Sequence, residues 1–190
     1  MDDRFARAIA AIDAANADDP NTIVVRGEER PKELAHAELV SAWVVALRPD
    51  ASEALLLAAR GHHLRRWTVS RSSYPTGRAG YLRWRRDLHE QHARDVGEIL
   101  AGVGYGDATI ARVQDLVRKR GLGKDPEVQT LEDALCLVFL ETQFDDLAAR
   151  LDRDKLDGVV DKTLEKMSPD AVARVADLDL SPEARARLAR

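Results

Sequence analysis

The sequence predicts an all-α protein, a single globular domain over residues 1–190 built as a bundle of about seven to nine helices. Three observations carry that expectation. Alanine, leucine and arginine are abundant while aromatics make up only 5% of the chain, a balance that suits helices better than sheets. Apolar residues recur at helical spacing through most of the sequence. No alternation of strand and helix patterns is present from which a parallel sheet could be built.

The elements follow in order. A first helix is expected over residues 2–17, with Phe5, Ile9 and Ile12 on one face. Proline, glycine and asparagine break the pattern across "ADDPNTIVVRGEERP", which leaves room for a short extended piece at residues 23–25. Pro31 suits the first turn of a second helix, "KELAHAELVSAWVVAL", which "RPD" ends. Asp50 or Ser52 caps a third, "SEALLLAARGHHLRRW", predicted to run through Trp67. "TVSRSSYPTGRAG" reads as a polar loop punctuated by Pro75, Gly77 and Gly80. A long helix then runs from Tyr81 to about Leu100. Asp107 caps "ATIARVQDLVRKR", which ends at Gly121 and Gly123. "DPEVQTLEDALCLVFLETQFDDLAARL" is one long helix with proline in its first turn. The tail holds two or three shorter amphipathic helices, with Ser168-Pro169 as an N-cap and first turn.

Composition narrows the function classes. The acidic, charge-interrupted N-terminus is unlike a secretory signal. No apolar run approaches the roughly 18–20 residues that cross a bilayer, so no membrane partner is expected. The one cysteine, Cys136, cannot form an internal disulfide, which fits a reducing, cytoplasmic setting. Within "LCLVFL" it reads as a core hydrophobe rather than a thiol nucleophile.

Charge is distributed unevenly. Residues 60–94 hold nine arginines, no lysine, and only Asp87 and Glu90 as acids, so this segment carries +7 against −11 for the rest. Such blocks usually mark a partner, and arginine without lysine favours bidentate recognition of phosphate or carboxylate. A solvated helix face is the alternative. The same segment contains "GHHLRRW" and "YLRWRRDLHEQH", and with them four of the five histidines: His62, His63, His89 and His92. The fifth is His36. His89 and His92, three apart, share a helix face and are spaced to hold one metal or one anion.

The histidine order resembles the HD-domain metallohydrolases, helical phosphohydrolases and some oxygenases. In that superfamily one helix supplies a histidine, the next an adjacent His-Asp pair, and a later helix an aspartate. "ELAHAELVSAWVVAL" falls at the first element, "LLLAARGHHLRRW" at the pair with His63 in place of aspartate, and "CLVFLETQFDDL" at the last, through Glu141 or Asp145. The resemblance implies a divalent transition metal, with iron, manganese, zinc, cobalt and nickel all open.

Longer stretches resemble domain-of-unknown-function family 4202: "RPKELAHAE", "SEALLLAARGHHLRRW", "SRSSYPTGRAGYLRWRRDL", "EVQTLEDALCLVFLETQF" and "DKTLEKMS". They make residues 31–168 the family-like core, flanked by an N-terminal helix and linker and by C-terminal helices. In that family's pattern Gln-His stands where this chain has His62-His63, and tyrosine often stands at His36, so the resemblance singles out His63. It also implies a pocket of arginine, tyrosine and tryptophan facing the acidic positions Glu132, Asp133 and Glu141.

These readings combine into an expected site. His63, Glu141 and Asp145 are the candidate catalytic groups, and His36, His62, His63, His89 and His92 the candidate metal ligands. Arg65, Arg66, Arg71, Tyr74, Arg78, Tyr81, Trp84 and Arg85 are the candidate substrate-binding residues. On a helix Arg65 and Arg66 lie about 100° apart, so one clamps an anion while the other pairs with Glu132, Asp133 or Glu141. The "SRSSYPTGR" loop is a phosphate cradle or else a rigid connector, Trp67, Tyr81 and Trp84 stack on a base or pack in the core, and "RKRGLGK" is an exposed helix end. The expected activity is metal-assisted hydrolysis of a small phosphorylated or otherwise anionic metabolite. The alternative is a module that binds a nucleotide or nucleic acid without turnover, or an ion-pair network that only supports the fold. Oligomeric state is left open.

Overall fold

Two long helices, α2 (Lys32–Leu47) and α6 (Pro126–Arg150), form the centre of the protein. Both carry apolar residues on more than one side, as a helix surrounded by neighbours must. The computed structural model describes residues 3–178 and 180–188. Among these, α1 (Asp3–Ala17) leads into a hairpin of β1 (Thr22–Val25) and β2 (Glu28–Pro31), and α2 is followed by α3 (Glu53–Gly61), α4 (Gly77–Gly102) and α5 (Asp107–Val117). After α6 come α7 (Arg153–Leu164), α8 (Pro169–Ala173) and α9 (Pro182–Leu188), with short 3-10 turns at Arg66–Thr68, Arg71–Ser73 and Arg174–Asp177. The protein is predominantly α-helical, and none of the described helices is long and apolar enough to cross a membrane.

Two hydrophobic clusters meet along α6. Its Val128, Leu131, Ala134 and Val138 pack with Ile12, Val40, Leu55, Val96 and Leu116 from α1 to α5. Its Leu137, Leu140 and Phe144 pack with Leu156, Ala171 and Leu178 from the C-terminal segments. Asp125 caps α6 by accepting from the Glu127 amide at 2.9 Å, with Pro126 in the first turn, as the sequence predicts. Ser52 caps α3 and Ser168 caps α8 in the same way.

Three departures shape the site. First, the extended piece at 23–25 is real but pairs antiparallel with residues 28–31, so a small hairpin enters α2 directly. Pro31 becomes the N-cap of α2 rather than part of its first turn and offers no side-chain cap. Asp19 takes that role from outside, accepting the Glu33 amide at 3.1 Å.

Second, α3 stops at Gly61 instead of running to Trp67. A Cβ at Gly61 would lie 2.7 Å from the Val96 side chain, so this turn presses closely against α4. His62 closes the helix with its ring, donating Nδ1–H to the Ala59 carbonyl at 2.8 Å. Arg65 then adopts φ 54°, the chain reverses, and Leu64 is fully buried. Arg65 and Arg66 are therefore separated by a left-handed turn, not by a helical step.

Third, α4 begins at Gly77. Gly80 lies inside the helix, where only glycine fits, because the Pro75 carbonyl lies 1.9 Å from where its Cβ would be. The segment after α5 also departs from the sequence reading. α5 ends at Val117, and Lys119, at φ 59°, turns its side chain inward instead of forming an exposed end.

A carboxylate and imidazole cluster opening into a cationic cavity

The residue that gathers the histidines is Glu33. It sits in the first turn of α2, only 4% exposed, where the helix dipole favours a carboxylate. His36 is one turn on, on the same face. His63 Nδ1 lies 3.2 Å from Glu33 Oε2, His36 Nδ1 3.8 Å from the same oxygen, and Arg66 Nε 3.7 Å from Oε1. One ligand atom from each of Glu33, His36 and His63 lies within 4.8 Å of the other two.

Hydrogen bonding fixes the tautomers. The Thr142 hydroxyl donates to the Val138 carbonyl at 2.7 Å, so toward His36 Nε2, at 3.3 Å, it accepts. His36 then presents Nε2–H to that hydroxyl and Nδ1 to the Glu33 carboxylate, 3.8 Å away. The position between that nitrogen and the carboxylate takes a proton or a cation. His92 donates Nδ1–H to the Leu64 carbonyl at 2.8 Å, matching His62 and Ala59. The Nε2 atoms of His62 and His92 are thus buried lone pairs, and neither has a hydrogen-bond partner among the described residues. Imidazole whose far nitrogen is fixed by a backbone carbonyl is the usual state of a metal ligand. The rings are close: His62 to His63 is 4.2 Å between centroids and His63 to His92 is 5.6 Å.

Electrostatics keeps the His62, His63 and His92 imidazoles neutral and the acid charged. Burial pushes His62 down to about 3 and His92 down to about 4, and burial together with His62 holds His63 well below the usual histidine value. Burial opposes ionisation of Glu33, but the His63 and His36 imidazoles more than offset it, and the carboxyl is held well below its usual range. Ionised carboxylate and neutral imidazole are the forms that bind metal.

The cluster opens into a cavity of about 390 Å³ walled by α2, α4, α6 and α7. Arg66, Arg85, Lys119 and Lys166 line it, with Tyr81 and Trp84. Lys119 is paired with buried Glu132, and Arg66 lies 5.0 Å over the Trp84 ring. Among the described residues Arg85 and Lys166 are in no ion pair; the Arg85 guanidinium donates only to the Tyr81 hydroxyl, at 3.3 Å. His89 lies beside Lys119 and Arg85, outside the carboxylate cluster; burial and those cations push it down to about 4. Cys136 also lines the cavity, where burial and Glu132 push its thiol up to about 12, so at neutral pH it is no nucleophile.

A model of a domain of unknown function, DUF4202, matches residues 6–187. The chain belongs to the DUF4202 family. No curated protein and no solved structure matches it.

Within this DUF4202 chain, the residues singled out from sequence separate into two groups. His36, His62, His63 and His92 come together, and Arg66, Tyr81, Trp84 and Arg85 line the adjoining cavity. The others lie elsewhere. Glu141 lines a different cavity and accepts from Trp43 Nε1 at 3.2 Å, while Asp145 accepts from Ser181 at 2.7 Å. They are four apart on α6, as expected, but on a face turned away from the imidazoles. The acid at the histidines is Glu33 in their place. Arg71 holds its own loop through the Tyr74 and Pro75 carbonyls, Tyr74 donates to Asp87 at 3.1 Å, and Arg78 is exposed, so this stretch forms a pinned connector. Arg65 and Trp67 line neither cavity. The acid partner of Arg66 is Glu33; Glu132 pairs with Lys119, and Asp133 accepts from the Ser168 hydroxyl at 2.6 Å.

Sequence reasoning missed Glu33, Lys119 and Lys166. Glu33 had a usable signal, its spacing of one turn before His36. The two lysines had none, because each is contributed by an irregular turn.

Proposed function

We propose that the protein is a metal-dependent hydrolase of a small phosphorylated metabolite. The observation that carries this reading is the Glu33, His36 and His63 set, with two orphaned imidazole nitrogens beside it, at one end of a cavity whose walls carry unpaired cations. Mixed carboxylate and imidazole donors suit a divalent transition metal such as iron, manganese, zinc, cobalt or nickel. Glu33, His36 and His63 would hold the ion. The ion would supply Lewis-acid polarisation of a phosphoryl group and an activated water.

The remaining steps belong to the chain. Arg85 and Lys166 bind the anionic oxygens, and Arg66 holds Glu33 oriented while stacked on Trp84. The histidine order resembles that of the HD-domain metallohydrolases, with Glu33 in place of the late-helix acid of that pattern. A second reading, binding of a nucleotide without turnover, is favoured by the Tyr81 and Trp84 pair, whose rings lie 5.9 Å apart at the cavity wall.

The test is turnover of p-nitrophenyl phosphate and nucleoside monophosphates by chelator-stripped protein reloaded with each metal in turn. Metal-dependent hydrolysis reduced at least about 100-fold in Glu33→Gln supports the proposal. Binding of these compounds without turnover under any metal overturns it in favour of the second reading.

A further inference from the structure

A second cavity, of about 490 Å³, lies on the opposite side of the α2 and α6 seam. Helical spacing divides α2 between the two: His36 and Val40 face the imidazole cavity, while Leu39, Ala42, Trp43 and Ala46 face this one. On α6, Glu141 and Thr142 do the same.

Its charges are unevenly matched. Arg174 and Asp177 neutralise each other at 3.3 Å. Glu141 and Arg26 are in no ion pair among the described residues. The half-buried Glu141 carboxylate has about four acceptor positions, and the indole N–H of Trp43 fills one of them. Arg26 stands exposed at the hairpin turn, its backbone in the left-handed region at φ 52°, and lines the cavity. The same cavity is lined by Leu39, Ala42, Ala46, Leu178 and the Trp43 ring, over which the Arg174 guanidinium lies at 6.0 Å.

We propose that this cavity binds a small zwitterion of the amino-acid class, its ammonium on Glu141, its carboxylate on Arg26 and its apolar side chain along Trp43. An ammonium supplies the donors that Glu141 lacks, and a carboxylate is the bidentate complement of an arginine. The proposal is independent of the metal reading, because none of these three residues touches the imidazole cluster.

The experiment is calorimetric titration of the full chain with three probes: L-leucine, 3-methylbutylamine, which lacks the carboxylate, and 4-methylpentanoate, which lacks the ammonium. L-Leucine is expected to bind one site, with each truncated probe weaker by at least about tenfold. Glu141→Gln keeps an acceptor for Trp43 and is expected to weaken L-leucine by a similar factor. Ala46→Leu, at an exposed position where added bulk is tolerated by the fold, is expected to block it, while Glu33→Gln leaves it unchanged. The proposal is overturned by the absence of saturable L-leucine binding. It is equally overturned by affinity indifferent to Glu141→Gln and Ala46→Leu, or by a truncated probe that binds as well as L-leucine.

Discussion

The two sides of the α2 and α6 seam hold carboxylates in opposite circumstances. Glu33 is almost fully buried, and His36, His63 and Arg66 converge on it. Glu141, half-buried across the seam, meets a single indole N–H. From sequence alone Glu141 reads as the better catalytic acid, since it lies in an apolar helix with Asp145 one turn away. What distinguishes them is convergence from distant segments. The turn after α3 delivers His63 and Arg66 to Glu33, and α2 itself delivers His36.

Removing each acid should separate the two environments most widely. Glu33→Ala leaves a buried cluster of imidazoles and Arg66 without its anion, and should cost about 3–5 kcal/mol in chemical denaturation. Glu141→Ala removes one hydrogen bond to a charged group and should cost about 1.5–3 kcal/mol. Equal losses would mean that the Glu33 cluster has no special energetic role.

Acid should act on the imidazole face first. His62, His89 and His92 titrate lower in the folded protein than the usual value of about 6.5 in the unfolded chain. Between about pH 4 and 6.5 the unfolded state therefore binds more protons, and stability rises with pH through that window. It is fully present above about 6.5 and falls as pH drops toward 4, by a few kcal/mol in order of magnitude. Depressed Glu33 acts in the same direction, since its contribution is lost as it is protonated. Urea midpoints at pH 7 and pH 5 test this, and His92→Phe should flatten the dependence. A midpoint independent of pH would contradict the neutral, buried state of these rings.

A smaller effect is expected at the turn that presents them. Gly61→Ala places a methyl against Val96 at 2.7 Å and should cost about 1–3 kcal/mol while displacing His62 and His63. The ring shifts are readable as changes in histidine NMR resonances. The smallest effect belongs to Asp145→Asn, which alters one exposed hydrogen bond with Ser181 and should stay within about 0.5 kcal/mol. A large loss there would mean that Asp145 supports the fold through more than this one hydrogen bond.

The helices were legible where local chemistry decides them. Asp125-Pro126, Ser52 and Ser168-Pro169 start helices for reasons confined to a few neighbouring residues. The site was legible in its histidines and in half of its cationic wall, because those residues are chemically conspicuous. It was not legible where tertiary packing decides. Gly61 ends α3 through its contact with Val96, Arg65 then reverses the chain, and Lys119 turns inward from a helix end that sequence reads as exposed. Glu33 was overlooked because helix N-termini commonly carry an acid, and nothing local marks this one as buried.

Whether Glu33, His36 and His63 hold a divalent metal decides between a hydrolytic centre and a simple anion pocket. Metal content by plasma mass spectrometry answers it, on tag-free protein prepared without chelator, beside Glu33→Gln and His63→Gln. The expected result is bound transition metal in the wild type, lost from both variants while each remains folded by circular dichroism. Wild type that stays metal-free after incubation with manganese, iron, cobalt, nickel and zinc would contradict the metal reading and leave Arg66, Arg85 and Lys166 as an anion site alone.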